Sequence, residues 1–283
     1  MPQIAFMLYY FLNSALPVKD IFKEEVEFIL KVGSKGLGIS GYEGTHPDMD
    51  TDMSAVANIV FSKLGYSAPM PAEQFDKWWV EESLGYEFIG TPAYIPEHTM
   101  NVLEAICLVR IYISFNRLIL KDKNVGHSDK LKVWKRTVRS LRNVETQFGV
   151  AHNSIFCVWR CIISVLFTHS KDYTRDSTKI HYQTLQHMLK FQHTNGGFCH
   201  PPFTSPNVEE TAFALLTLKA VLRSRDPYLE IYQQKIYQAA TKAEQFIRNN
   251  WDRHGNWSQE SWKARLPQSS GLLSEAVILS SLY

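Results

Sequence analysis

The sequence has little cysteine, little excess charge and no long apolar run. Its 283 residues carry 30 Lys and Arg against 28 Asp and Glu, and this net charge of +2 is too balanced for a nucleic-acid-binding surface. The four cysteines form no C-x-x-C pair and no disulfide framework, so we expect reduced thiols in a cytoplasmic protein. The apolar run 4–12 is too short to span a bilayer and lacks the basic flank of a signal peptide, although membrane association at the surface stays compatible with it.

Three motifs of common chemistry are also absent. The chain has no D-D-x-x-D for magnesium-dependent removal of diphosphate, no G-x-x-x-x-G-K-[ST] phosphate loop and no G-x-S-x-G nucleophile elbow. These absences disfavour a reaction that starts by ionising a diphosphate, and they disfavour nucleotide and acyl chemistry. We therefore expect no cofactor and no metal.

What the sequence does contain is a repeated helical pattern of two kinds. Helices that are apolar nearly all round must be surrounded by protein, whereas amphipathic helices lie at a surface, so their alternation predicts an inner and an outer layer. The inner segments start about 45 to 65 residues apart, as repeated helix pairs do. We predict inner helices over 4–16, 53–64, 99–118, 153–168, 209–222 and 272–283, and outer helices over 18–32, 128–147, 177–193 and 227–250, with a shorter one near 72–81. The predicted fold is all-α, a single α/α barrel (a toroid of inner and outer helices) in one domain over 1–283.

Asp50 and Asp52 stand at the mouth of the predicted helix over 53–64. A carboxyl group there is poorly solvated and near a second negative charge, and both effects raise its pKa more than the helix dipole lowers it. Residues two apart on a helix point about 200° away from each other, so cooperation requires Asp50 to precede the helix and Asp52 to lie in its first turn. The pattern predicts a proton donor. The alternative is ordinary helix capping.

This segment resembles the acid motif of the class II terpene cyclases, the squalene-hopene cyclase group. The family signature D-x-D-D-T-A precedes a helix that ends in G-Y, and placing Asp50 on its first Asp brings Gly65 and Tyr66 into register without a gap. The resemblance implies that Asp52 is the general acid, while Met53 stands where the family has its last Asp. It extends over about 34–283 and implies an α/α barrel.

Other segments resemble the same family. Segment 192–198 is similar to its Q-x-x-x-G-x-W motif, with Phe198 in place of Trp, and segment 210–215 resembles the E-D-T-A-x-A-L helix that follows it. Segment 97–103 resembles the one that carries the acid-supporting His, which implies that Asn101 takes that place. Its amide could donate a hydrogen bond to a carboxyl oxygen of the acid. The alternative for a buried Asn is to cap a neighbouring loop.

The carbocation formed by such an acid needs aromatic faces and dry walls. Cation–π attraction is worth about 0.5–2 kcal/mol for each ring, and apolar walls exclude competing nucleophiles. We therefore predict that aromatic side chains on or just before inner helices bind the substrate: Phe156, Trp159, Phe198, Phe213, Trp257 and Trp262.

Within the family, the chain looks most like the monodomain meroterpenoid cyclases. This likeness implies an intramolecular lyase or isomerase that cyclises a hydrophobic polyprenyl chain attached to an aromatic acid. A free prenyl diphosphate or a linear triterpene is the second reading, and a non-catalytic isoprenoid-binding barrel is the third. The expected partner is a prenylated small molecule, with peripheral membrane contact left open and the oligomeric state unassigned.

Cys199 and His200 suggest a different class of protein, one that binds zinc. Protein prenyltransferase β-subunits share the α/α barrel and bind zinc through Asp, Cys and His. Because their D-x-C pattern is absent from this sequence, we expect no zinc site here.

Overall fold

The computed structural model describes residues 2–33, 51–75, 78–80, 85–86, 101–102, 104–106, 185–199, 205–224, 230–251 and 271–283. Backbone contacts divide the chain into two compact units. Unit 1 comprises Met1–Tyr9, Pro17–Gln147 and Phe167–Ser170, and unit 2 comprises Tyr10–Leu16, Phe148–Leu166 and Lys171–Tyr283. The prediction of one domain over 1–283 stays a prediction.

The described residues of unit 1 are mainly helical. They form most of α1 (Pro2–Phe11), α2 (Val18–Ile21), α3 (Lys23–Gly33), α4 (Thr51–Lys63), α5 (Ala72–Phe75) and the strands β1 (Trp79–Val80) and β2 (Gly85–Tyr86). The two strands pair antiparallel, with Trp79 opposite Tyr86 and Val80 opposite Gly85. Residues 101–102 and 104–106 are also helical, and we refer to them as the Asn101 stretch.

Unit 2 contains the two longest helices of the described residues, α6 (Val208–Ser224) and α7 (Gln233–Asn250). It also contains α8 (Gly271–Leu282) and a 3-10 turn at Glu230–Tyr232 before α7. Residues 185–189 are helical as well, and the loop 190–199 follows them. Helix α6 packs against both α7 and α8.

Burial separates the helices into the two predicted kinds. Every residue of α4 from 54 to 61 and every residue of α6 from 209 to 218 is buried, so both helices are surrounded by protein on all sides. In α7 a single face is buried, and its residues recur at the three- and four-residue spacing of an amphipathic helix. They are Ile236, Ala239, Ala240, Ala243, Phe246 and Ile247. The prediction of enclosed and surface helices is confirmed for these elements.

Two predicted helices end or break earlier than their hydropathy suggests. Helix α1 ends at Phe11 and not at residue 16, because the Ser14 hydroxyl donates to the Phe11 carbonyl at 2.6 Å and accepts from the Leu16 N–H at 3.2 Å, which forms a turn. Pro17 then disfavours a helical conformation at the residue before it. The outer helix predicted over 18–32 is interrupted at Phe22, which separates α2 from α3.

The helix predicted near 72–81 is wrong at Trp79–Val80. Strand β1 occupies Trp79–Val80, where aromatic and β-branched residues favour an extended backbone and a partner strand is close enough to pair. The predicted helices over 128–147 and 153–168 lie outside the described residues. Those over 99–118 and 177–193 are described only in part, and the second has ended by residue 190.

Asn207 caps α6, and we expect Asn207→Ala to lower the free energy of unfolding by about 1 kcal/mol. Its Oδ1 accepts from the Glu210 N–H at 2.8 Å, so the substitution leaves a helix-start donor without its partner. Urea denaturation measures the loss. Ser205→Ala, at an exposed position just before the cap, is the matched control, and an equal effect of both variants would contradict the capping role.

Across the parts of the chain that the structure describes, no helix combines the length and the apolar character needed to cross a membrane.

Candidate functional site

Helix α4 carries the residue predicted to be the general acid. The helix begins at Thr51, so Asp52 is its second residue and lies in the first turn, as predicted. The side chain of Asp52 and the whole of Asp50 lie outside the described residues. Because every residue of α4 from 54 to 61 is buried, its first turn leads directly into protein interior.

The end of α4 explains the G-Y pair of the sequence motif. Gly65 has a φ of +80°, a left-handed conformation that glycine adopts without strain. The Gly65 N–H donates to the Ser62 carbonyl at 3.1 Å, and the Tyr66 N–H donates to the Phe61 carbonyl at 2.9 Å. This pair of bonds is a Schellman motif, and it satisfies carbonyls that the helix end would otherwise leave open.

Asn101 is buried, with 1% of its surface exposed. It lies in the helical Asn101 stretch, three residues before a second buried polar side chain, Glu104. The burial agrees with a carboxamide that has a structural or functional partner inside the protein. Its pairing with Asp52 stays a prediction.

Glu104 is the centre of a buried polar group that sequence reasoning missed. Its Oε2 accepts a hydrogen bond from the Tyr9 hydroxyl at 3.0 Å, and its Oε1 lies 3.4 Å from the Lys63 Nζ. The Lys63 ammonium also lies 5.2 Å from the centre of the Tyr9 ring, within cation–π range. We call Tyr9, Lys63 and Glu104 the Glu104 cluster. It joins α1, α4 and the Asn101 stretch.

Burial dominates the electrostatics of the Glu104 cluster. Desolvation raises the pKa of Glu104 from 4.5 to about 7, while the charge and hydrogen bond of Lys63 act in the opposite direction. A signal for this group was present in the sequence, because Glu104 is the one acidic residue in the apolar segment 99–118. A charge within such a segment requires a buried partner.

The Glu104 cluster meets α4 at the opposite end from Asp52. Lys63 is the last residue of the helix, eleven residues after Asp52, so the two backbone positions lie about 16 Å apart along the axis. The cluster therefore anchors the far end of the helix that carries the predicted acid. It also places the Asn101 stretch beside that helix.

In unit 2, the loop of the Gln-Gly-aromatic motif ties two helices together. The Gln192 side-chain amide donates to the carbonyl of Gly196 within the loop at 3.1 Å and to the carbonyl of Ala239 in α7 at 2.9 Å. At the other end of the motif, the Phe198 N–H donates to the Thr211 hydroxyl in α6 at 2.8 Å. The motif thus connects α6 to α7 by side-chain and backbone bonds.

The glycines of this loop allow that close approach. Gly196 has a φ of +94°, and a Cβ added there would lie within 3.0 Å of the Lys242 carbonyl. A Cβ on Gly197 would lie 2.7 Å from the Phe246 ring. Both positions therefore require glycine, the first for its conformation as well as for space.

We expect Gly196→Ala to destabilise the protein more than Gly65→Ala. Both residues have a positive φ, so both substitutions carry the conformational cost of a side chain in the left-handed region. A Cβ at Gly65 meets nothing within 4 Å, whereas one at Gly196 meets the α7 backbone. The difference in unfolding free energy should be about 1–3 kcal/mol, measurable by urea denaturation. Equal losses would contradict the close approach.

The predicted substrate-binding aromatics divide into two groups. Phe198 and Phe213 are buried in unit 2, and the Phe213 ring meets the Tyr10 ring edge-on at 5.8 Å. The remaining four, Phe156, Trp159, Trp257 and Trp262, lie outside the described residues. Contact of any of the six with substrate stays a prediction.

The start of α6 holds two buried carboxyl groups, Glu209 and Glu210. The Ser274 hydroxyl of α8 donates to the Glu209 Oε1 at 3.3 Å, so this first turn is connected to the neighbouring helix. Within the described residues, His, Cys, Asp and Glu form no group of three or more that could hold a metal ion. Cys199 is buried, and His200 lies outside the described residues.

The prediction of an all-α fold of the α/α-barrel type is confirmed, because the chain shares the fold of a terpene cyclase of that type. That structure is the ent-copalyl diphosphate synthase from Streptomyces platensis, a class II terpene cyclase. The TM-score is 0.69 at 14% sequence identity, over 99% of this chain and 49% of that chain. The chain thus spans about half of the length of the synthase. No family model and no curated protein matches the sequence.

Proposed function

We propose that this protein is a class II terpene cyclase, which starts ring formation by protonating its substrate from Asp52. The observation that carries the proposal is the position of Asp52 in the first turn of a helix that is enclosed by protein on all sides. The fold shared with the ent-copalyl diphosphate synthase supports it. So does the resemblance of the sequence to the family's acid motif.

In the proposed reaction, Asp52 transfers its proton to the terminal alkene or epoxide of a polyprenyl chain. The cation then closes successive rings, and a proton leaves the last cation to a base or through water. One proton enters and one leaves, so the cyclised alkene is an isomer of its substrate. The residues supply acid, shape and dry surroundings, and the general acid alone typically contributes about 10²–10⁴-fold to the rate.

We propose a polyprenyl chain attached to an aromatic acid as the substrate. The resemblance to the monodomain meroterpenoid cyclases supports this choice. A free prenyl diphosphate is the second candidate, and the name of the synthase that shares the fold favours it. A linear triterpene remains a third substrate to test.

The test is an assay of purified protein in D₂O with prenylated hydroxybenzoates, prenyl diphosphates and squalene, each with Mg²⁺ and with EDTA. A protonation-initiated cyclase should form a cyclic product in EDTA, and that product should carry one deuterium from solvent on carbon. Mass spectrometry detects the label. The substrate that reacts assigns the class.

The alternatives give different results in the same assay. A product that forms only with Mg²⁺ and carries no solvent deuterium would overturn the proposal in favour of diphosphate ionisation. Binding of a prenylated compound without any turnover would favour an isoprenoid-binding protein. Equal turnover by Asp52→Ala would exclude Asp52 as the acid.

A further inference from the structure

Asn101 and Glu104 lie close together on one side of the Asn101 stretch. A step of three residues along a helix leaves two side chains about 60° apart around the axis and about 4.5 Å apart along it. A contact that fixes the position of Glu104 around and along the helix axis therefore also fixes the position of Asn101.

The apolar surface of α4 does not by itself determine how a neighbouring helix sits. Its buried side chains include Ala55, Val56, Ile59 and Val60, which are small or β-branched. Hydrophobic attraction to such a surface has no preferred direction, so a neighbouring helix loses little when it rotates or slides. A buried polar pair differs, because it is satisfied in one register only.

The Glu104 cluster has the geometry of such a register contact. The Glu104 carboxyl group is fully buried, and each of its oxygens faces a different element, Tyr9 of α1 or Lys63 of α4. The Lys63 side chain is itself only 10% exposed. A slide of about 1.5 Å, the rise of one residue, would distort both the Tyr9–Glu104 hydrogen bond and the Lys63–Glu104 ion pair.

We propose that the Glu104 cluster sets the register of the Asn101 stretch against α4 and thereby positions Asn101 for catalysis. Tyr9, Lys63 and Glu104 are positioning residues that act through Asn101. The part of this inference that concerns catalysis rests on the proposed function. The register itself is a property of the fold and is testable without turnover.

The decisive variant replaces the whole Glu104 cluster by apolar side chains of similar size: Tyr9→Phe, Lys63→Met and Glu104→Leu together. Replacing a complete buried ion pair in this way often leaves a protein as stable or more stable. We expect a folded variant whose kcat falls on the order of 10- to 100-fold, with KM within about twofold of the original, because the acid's surroundings are misplaced. An unchanged kcat in a folded variant would overturn the proposal.

Two further variants separate register from other effects. Lys63→Arg keeps the cation and should retain most of the kcat. Glu244→Gln removes an ion pair of unit 2, in which Glu244 Oε1 lies 2.8 Å from Arg248, and should leave kcat unchanged. A loss in Glu244→Gln equal to that of the triple variant would show that ion pairs act only through general stability, against the proposal.

The second readout is the side-chain amide signal of Asn101 in a proton–nitrogen NMR spectrum, assigned by its loss in Asn101→Ser. In the triple variant we expect this signal to shift, split or broaden, while the amide signal of Asn207 in unit 2 stays in place. An unchanged Asn101 signal would overturn the register role. If no substrate is turned over but the signal changes as expected, the proposed function fails and the register role stands.

Discussion

Replacing Lys63 alone by methionine should lower the free energy of unfolding by about 3–5 kcal/mol at pH 8. The substitution keeps most of the side-chain length but leaves Glu104 buried without its cation, and an uncompensated buried charge is among the most destabilising changes in a protein. Urea denaturation of both proteins at pH 8 measures the loss.

The same experiment at pH 5 shows whether the cost of Lys63→Met in unfolding free energy depends on the charge of Glu104. Because burial raises the pKa of Glu104 from 4.5 to about 7, the folded protein holds a proton between these values that the unfolded chain has released. This group therefore favours the folded state at low pH, and that contribution is lost as the pH rises through about 7. At pH 5, where Glu104 is neutral in the folded state, Lys63→Met should cost much less than at pH 8. The same cost at both values would contradict a buried carboxyl that titrates near neutrality.

The double variant Lys63→Met, Glu104→Gln is the control for that measurement. The side-chain oxygen of a neutral glutamine can still accept a hydrogen bond from the Tyr9 hydroxyl, and the side chain carries no charge that needs a partner. It should regain most of the stability lost in Lys63→Met at pH 8, as expected for two groups in one network. A sum of independent losses would show that the two side chains do not interact.

Asp52→Asn should lower kcat by about 10²–10⁴-fold and leave the fold intact. Asparagine has the same shape as aspartic acid, and its side-chain oxygen can still accept hydrogen bonds at the helix start, so the substitution removes the transferable proton with little change in packing. Steady-state rates measure the effect, with the substrate that the D₂O assay identifies. A circular dichroism melt shows whether stability is preserved.

Asp20→Asn is the matched control, because Asp20 is an exposed carboxyl group in the first turn of another helix, α2. Its rate should equal that of the unaltered protein. If Asp52→Asn also kept more than about a tenth of the original rate, Asp52 would only stabilise the first turn of α4 and would not be the acid.

Hydropathy was sufficient to predict where the enclosed helices begin. The predicted starts at 4, 53, 209 and 272 fall within two residues of the observed starts of α1, α4, α6 and α8. A helix that is buried on all sides has an apolar sequence throughout, and this signal is local. The position of Asp52 in the first turn of α4 followed from the same signal.

Features that depend on distant contacts could not be predicted in this way. Strand β1 forms because β2 pairs with it, and the strand preference of Trp79 and Val80 alone does not reveal which segment is the partner. Tyr9 meets Glu104 although the two lie 95 positions apart, so only the presence of an acid in an apolar segment hinted at a partner. The end of α1 at Phe11 was missed for a different reason, because it depends on local hydrogen bonds of Ser14 that hydropathy does not reveal.

The burial of α4 over 54–61 and of α6 over 209–218 also bears on how far two sequences with one fold can differ. A helix touched on every side must fill a fixed volume, yet many combinations of alanine, valine, leucine and isoleucine fill it equally well when neighbours adjust. Mutations can therefore replace nearly all of the helix's residues, provided that each change in side-chain volume is compensated by a change in a neighbouring residue. This freedom accounts for two chains that share one fold at 14% sequence identity.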